Sequence, residues 1–237
     1  MNTKNEAVQR FIGSRANHLE NGYVTVAMLL VTVLYELFSK AVFPDFTFNV
    51  YEFVGTWSGL VTVWLCRTQN VLCWPWGILS ALAFGFFFGS IGLPGQQWLN
   101  WGYFLIIQLW AWPNWAFGGE AKTELPITFL GGRGRLFTLA SITIGTVLVY
   151  MLIDTFVPGS QYPILDATVV ASSVVAQLLL GRKNVESWYL WFGPVNLLSI
   201  ILFYLSGAYT VMALYIAFFI HAACAIRKWR RDVQLVA

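Results

Sequence analysis

Residues 183–196 read KNVESWYLWFGPVN, and residues 69–77 read QNVLCWPWG. Both carry Asn-Val, two residues of spacing and then Trp, at positions 114 apart. The same shift aligns Glu52 with Asp166, Ser58 with Ser172 and Trp115 with Trp229, and a proline follows early in each copy (Pro75 and Pro194). An acidic residue opens the first helix of each unit, and Asn-Val precedes the second. Matches at equivalent places in the helix order point to an internal repeat, which decides how the rest of the chain is read.

Composition sets the solvent. The 237 residues are 58% hydrophobic and 11% charged, with mean hydropathy +0.65. A soluble domain carries about 25% charged residues, so the chain reads as an all-α polytopic membrane protein. Net charge is only +3 and the basic residues fall in short clusters, which argues against a nucleic-acid partner. The lipid bilayer is the partner that composition itself requires. A spanning helix needs about 20 mostly apolar residues. Eight stretches qualify: 23–43, 50–66, 71–89, 96–117, 135–156, 163–181, 186–205 and 208–227. They are separated by breaks such as Phe43–Phe46, Gly92–Gly95, Pro158–Ser160 and Gly181–Lys183. Residues 1–22 are polar and are expected to be a cytoplasmic N-terminal segment rather than a signal peptide. With the amino terminus inside, 13 of the 14 Lys and Arg fall on the cytoplasmic side and only Lys40 outside, as the positive-inside rule requires. Both termini are thus expected in the cytoplasm, with 230–237 as a tail.

The repeat gives two three-helix units, 50–117 and 163–229, with a linker helix at 135–156 and a peripheral helix at 23–43. Three spans leave the chain on the opposite face and one more restores it. The units then share an orientation, a 3+1+3 arrangement used by transporters that bind substrate between their repeats.

Chemistry is sparse. There is no GxSxG elbow, HExxH or Cys-His pairing, so enzyme classes lose support, and no cofactor or metal is expected. Cys66, Cys73 and Cys224 form no CxxC pair and read as small apolar fillers. Neutral polar residues at membrane depth carry more information, because hydrocarbon offers them no partner. Ser58, Ser172, Ser173, Gln177, Asn196, Ser199 and Gln108 are of this kind. Asp166, Ser173 and Gln177 share one helix face. So do Gln97, Trp101 and Gln108, with Asn100 on their flank; interhelical hydrogen bonding is the bland alternative for each. Among twelve Trp, Trp98, Trp112, Trp115 and Trp229 fit an interfacial belt. Trp57 is too deep for it, and Trp188 and Trp191 stand beside Pro194, where the helix is expected to kink or open. Aromatic walls with amides suit a flat polar ring, and a cation gains from the ring faces.

The stretch from Asp166 to Arg231 resembles the PnuC family of bacterial vitamin transporters. The carrying residues are Ala176-Gln177, Lys183, Glu186, Trp188, Trp191, and Asn196 with Ser199-Ile200. Gln69-Asn70, Trp74-Pro75 and Gly77-Ile78 extend the likeness into the first half. Two features depart from the pattern. Asn100 stands where a Gln is expected, and the Trp191-to-Asn196 spacing is one residue longer. The resemblance implies a fold similar to the SWEET sugar transporters. It also implies facilitated diffusion of nicotinamide riboside across the bacterial inner membrane, made directional by a cytoplasmic kinase that phosphorylates the substrate. On that basis Trp57, Trp188 and Trp191 are expected to flank the ring. Asn100, Gln108, Ser173, Gln177 and Asn196 are expected to line the cavity and read carboxamide and ribose, with no buried basic residue nearby. A carrier for thiamine, riboflavin or a sugar is the nearest rival, and a membrane enzyme or receptor the more distant one. A homo-oligomer is compatible with the sequence, which does not set the oligomeric state.

Overall fold

The computed structural model describes residues 3–42, 47–90, 97–156, 161–205 and 209–236, and the chain divides after Leu125 into two compact units. The breaks expected at Phe43–Phe46, Gly92–Gly95 and Pro158–Ser160 lie outside the described residues. Among those described the chain is helical, with a single isolated parallel bridge between Thr128 and Asn184. Three stretches, Glu6–Val42, Gly132–Phe156 and Pro163–Gly181, are long and apolar enough to cross a membrane.

The first unit holds α1 (Thr3–Ile12), α2 (Arg15–Val42), α3 (Val50–Arg67) and α4 (Cys73–Ser90), then a π-helical segment π1 (Leu99–Phe104) that runs into α5 (Leu105–Phe117). The polar N-terminal segment is helical and anchored. Phe11 stacks on Trp112 with ring centroids 4.2 Å apart, and the Trp112 indole N–H donates to the Phe11 carbonyl at 2.9 Å. The Arg10 guanidinium donates to the Lys122 carbonyl. Gly13, at φ 88°, makes the left-handed turn into α2 that a side chain would oppose. The helix α2 begins at Arg15, not 23, because a span measured by apolar content omits the polar turns that continue a helix beyond the hydrocarbon.

One face of α2 is clasped by the unit. Asn70 Nδ2 donates to the Asn17 carbonyl and to Glu20 Oε2, at 2.9 and 3.1 Å. Trp76 Nε1 donates to Asn21 Oδ1 at 2.6 Å, and Trp57 Nε1 to the Thr25 carbonyl at 3.0 Å. Asn17, Asn21 and Thr25 recur every four residues and so share that face. The opposite face, with Leu30, Leu34 and Phe38, is exposed and matches an apolar solvent.

Glycines set the approach of α4 to its successor. A Cβ at Gly77 would stand 1.6 Å from Gln108 Oε1, one at Gly85 1.8 Å from Trp101 Nε1, and one at Gly89 2.5 Å from Gln97 Nε2. The polar face Gln97, Trp101 and Gln108 therefore lies on a glycine stripe of α4, the small-residue contact by which membrane helices pack closely.

The second unit holds α6 (Gly132–Phe156), α7 (Pro163–Gly181), α8 (Glu186–Leu190), the π-helical π2 (Trp191–Leu197), α9 (Leu198–Leu205) and α10 (Tyr209–Val236). The α6 helix packs on α7, where Gly145 would bring a Cβ to 3.2 Å from Ala171 Cβ. Most of its other residues are exposed, large apolar ones such as Leu136, Phe137, Leu148 and Phe156 among them, and Thr138 is the one buried residue among those described.

Both copies of the repeated phrase build the same corner. Asn70 N–H donates to the Leu65 carbonyl and Gln69 N–H to that of Cys66, at 2.9 and 3.1 Å; Asn184 and Lys183 donate to Leu179 and Leu180 at 3.0 and 2.9 Å. This crossed pair of bonds is the Schellman helix stop, which needs a left-handed residue at its apex. Gln69 and Lys183 supply it at φ 62° and 51°. The next helix then starts alike, Cys73 N–H donating to the Asn70 carbonyl and Ser187 N–H to that of Asn184. The asparagine side chains fasten the preceding segment, Asn70 to α2 as above and Asn184 to Thr128 Oγ1 at 2.8 Å. Trp74 meets Trp115 edge-on at 5.0 Å, and Trp188 meets Trp229 edge-on at 5.6 Å. Trp115 and Trp229, expected in an interfacial belt, are 1% and 0% exposed and belong to the core; each indole is taken up by its repeat partner rather than by water. Trp98, 66% exposed, does present itself to the surroundings.

Candidate functional site

Beyond the corner the two copies diverge. Pro194 has no N–H to give, so the α-helical ladder is broken there, and residues Trp191–Leu197 widen into a π-helix. In that geometry hydrogen bonds run between residues five apart, not four. Trp191 and Asn196 are five apart, so the one-residue-longer spacing is absorbed by the π turn and the two are stacked neighbours on one face. Asn196, 2% exposed, leaves its Oδ1 without a hydrogen-bond partner. Trp191 Nε1 and Ser172 Oγ on α7 are likewise buried and unpartnered, while Ser199 one turn later lies against the Tyr215 hydroxyl. Each unpartnered group inside a membrane costs about 1–3 kcal/mol. Asn196, Trp191 and Ser172 thus leave buried polar atoms open in the second unit, as Ser187 and Trp188 of the corner also do.

Around them on α7 lie Gln177 and Ser173, each 8% exposed. Ser173 spends its hydroxyl proton on the Val169 carbonyl at 2.8 Å, whereas the Gln177 amide makes no hydrogen bond among the described residues. The set offers neutral donors and acceptors beside an indole, without a cation among them. It can read an amide and hydroxyls and flank a ring; it holds nothing to neutralise a phosphate.

Trp188 occupies the position of Trp74 and is packed in the same edge-on manner, so its burial is explained by the scaffold. Both indole N–H groups lack an oxygen or nitrogen partner, and both rings meet a second indole. Asn100 is 8% exposed within π1 of the first unit. Gln108 donates to the Phe104 carbonyl at 3.0 Å and rests on Gly77, and Trp57 is tied to α2 and lies 5.2 Å from Trp76, centroid to centroid. One expectation fails: a basic residue is buried, since Lys183 is 1% exposed at the corner.

Ser172 and Ser199 were not among the expected site residues. Ser199 was legible in its spacing of three from Asn196. Ser172, like Ser199, was legible as a neutral polar residue at membrane depth, without a place among the residues expected to meet the substrate.

The family model described as nicotinamide mononucleotide transporter matches residues 49–231. The nicotinamide riboside transporter PnuC of Escherichia coli is 26% identical over 202 residues, covering 75% of this chain and 84% of its own length. That of Neisseria mucosa is 27% identical over 152 residues, 62% of this chain and 57% of its own. A crystal structure of the vitamin B3 transporter PnuC superposes with a TM-score of 0.72 at 21% identity, covering 95% of this chain and 100% of the solved one. At that identity the likeness speaks for the fold.

Proposed function

The chain belongs to the nicotinamide mononucleotide transporter family, and from that membership we propose that it carries nicotinamide riboside across the bacterial inner membrane. The single observation that supports the substrate is the neutral, unpartnered set of Ser172, Trp191 and Asn196. Nicotinamide riboside brings a cationic aromatic ring, a carboxamide and ribose hydroxyls. The Trp191 face suits the ring, while Asn196, Ser199, Ser172 and Gln177 suit the amide and the hydroxyls. A mononucleotide would bring a phosphate for which this set holds no cation. Asn100, Gln108, Trp57, Ser173 and Trp188 take positioning roles in this reading: Gln108 seats its helix on α4, Trp57 holds α2, and Trp188 holds the corner.

Transport is proposed as facilitated diffusion by alternating access, with two three-helix bundles around a linker helix and both termini in the cytoplasm. No Asp/Glu/His relay of the kind a proton pump uses is read in the spans. Net uptake then depends on a cytoplasmic kinase that phosphorylates the arriving riboside. Proteoliposomes test this: labelled nicotinamide riboside should equilibrate without an ion gradient or ATP, and accumulate only when a riboside kinase and ATP are enclosed. Accumulation that follows an imposed proton or sodium gradient contradicts the uncoupled mechanism. Equilibration of thiamine or riboflavin in place of the riboside assigns the rival substrate.

A further inference from the structure

A cavity in the second unit lies apart from the residues above. It has a volume of about 430 Å³ and is lined by Phe129, Arg135, Glu186, Tyr189, Arg230 and Gln234. We propose that it holds the phosphodiester head of an anionic phospholipid.

The charges decide the sign of the ligand. Glu186 is already satisfied: Oε1 pairs with Arg135 at 3.1 Å and Oε2 accepts the Leu130 N–H at 3.0 Å. That carboxylate fixes Arg135 in the wall and cancels its charge. Arg230, exposed on α10, makes no ion pair among the described residues, while its neighbour Lys228 is spent on Asp232 at 3.1 Å. The cavity therefore carries one uncompensated guanidinium, with the remaining Arg135 N–H groups, the Tyr189 hydroxyl and the Gln234 amide as further donors. Guanidinium forks match phosphate oxygens.

Position decides between a lipid and a dissolved phosphate. The residues directly after Arg135 are Leu136 and Phe137, 69% and 75% exposed. The wall thus stands where the bare apolar surface of α6 meets its charged end. On α10 the charged run from Arg227 to Asp232 follows an apolar stretch in the same way. Phe129 and Tyr189 give the cavity an apolar side on which a glycerol backbone can rest. Basic pockets between membrane helices at such a border are suited to anionic headgroups.

The test uses the full chain purified in detergent, its thermal midpoint followed as short-chain phosphatidylglycerol, phosphatidylcholine or inorganic phosphate is added. Phosphatidylglycerol should raise the midpoint by several degrees and phosphatidylcholine should not. Arg230→Gln and Arg230→Glu should abolish the rise while leaving the lipid-free midpoint unchanged, since Arg230 is exposed and makes no ion pair among the described residues. Arg231→Glu, the same charge change one residue away and outside the cavity, should keep the rise. An equal response to phosphatidylcholine, retention of the rise in Arg230→Glu, or its loss in Arg231→Glu overturns the site. An equal response to inorganic phosphate overturns the lipid as its occupant.

Discussion

Ser58 and Ser172 hold the same place in the two repeats, both 0% exposed, yet only Ser58 satisfies its hydroxyl, on the Val54 carbonyl. The repeat thus presents one position with its chemistry closed and one with it open. The open one belongs to the unit that also leaves Trp191 and Asn196 unpartnered. A structural role for these groups would have favoured apolar residues, because a buried polar atom without a partner only destabilises.

Asn196→Leu should therefore act in opposite directions on stability and on function. Removing an unsatisfied buried group relieves about 1–3 kcal/mol, so the thermal midpoint in the absence of substrate rises by a few degrees. Riboside affinity falls at least tenfold in the same variant. A fall in both quantities assigns Asn196 to packing.

Gly77→Ala tests the seat of Gln108. Alanine favours a helix over glycine by about 1 kcal/mol, so a stabilised variant is the outcome if space were free. A new Cβ at 1.6 Å from Gln108 Oε1 and 2.8 Å from its Cδ displaces the buried amide from the Phe104 carbonyl, a lost buried bond of about 1–3 kcal/mol that outweighs the gain, and the midpoint falls. Combining it with Gln108→Ala should recover most of the loss.

Trp57→Phe keeps a ring and removes only the bond to the Thr25 carbonyl, a loss of about 1 kcal/mol. Stability should drop by that amount with riboside affinity changed less than threefold. A large loss of affinity with unchanged stability returns Trp57 to the ligand, as first expected from its depth in the span.

Gln69→Gly should stabilise the protein, since a non-glycine residue in the left-handed region costs about 1–2 kcal/mol. Lys183→Gly relieves the same backbone cost at φ 51° but discards a side chain that is 1% exposed, so it should destabilise. Thermal midpoints of the two variants check the contrast.

How far the sequence speaks depends on the reach of each signal. The Asn-Val-x-x-Trp echo was legible because both copies solve the same local problem, a helix stop with a left-handed apex followed by a new start. The opening of the helix at Pro194 was legible for the same reason, the missing N–H being a local fact. The destination of the polar face Gln97, Trp101 and Gln108 was not. Periodicity shows that three residues share a face, but only the glycines opposite show that another helix fills it. Trp115 and Trp229 were misread as interfacial because tryptophan at a span's end is ambiguous without knowing whether a second indole waits for it. Ser172 was legible as a polar residue at membrane depth, but its match to Ser58 says nothing about whether the hydrogen bond is kept.

The central claim is that the unpartnered groups of the second unit bind nicotinamide riboside. Isothermal titration of the riboside into the purified protein, beside Asn196→Leu, tests it most directly. The expected result is saturable one-site binding by the wild-type chain and at least a tenfold loss in the folded variant. Absence of binding by the wild-type chain, or equal affinity in Asn196→Leu, contradicts the account.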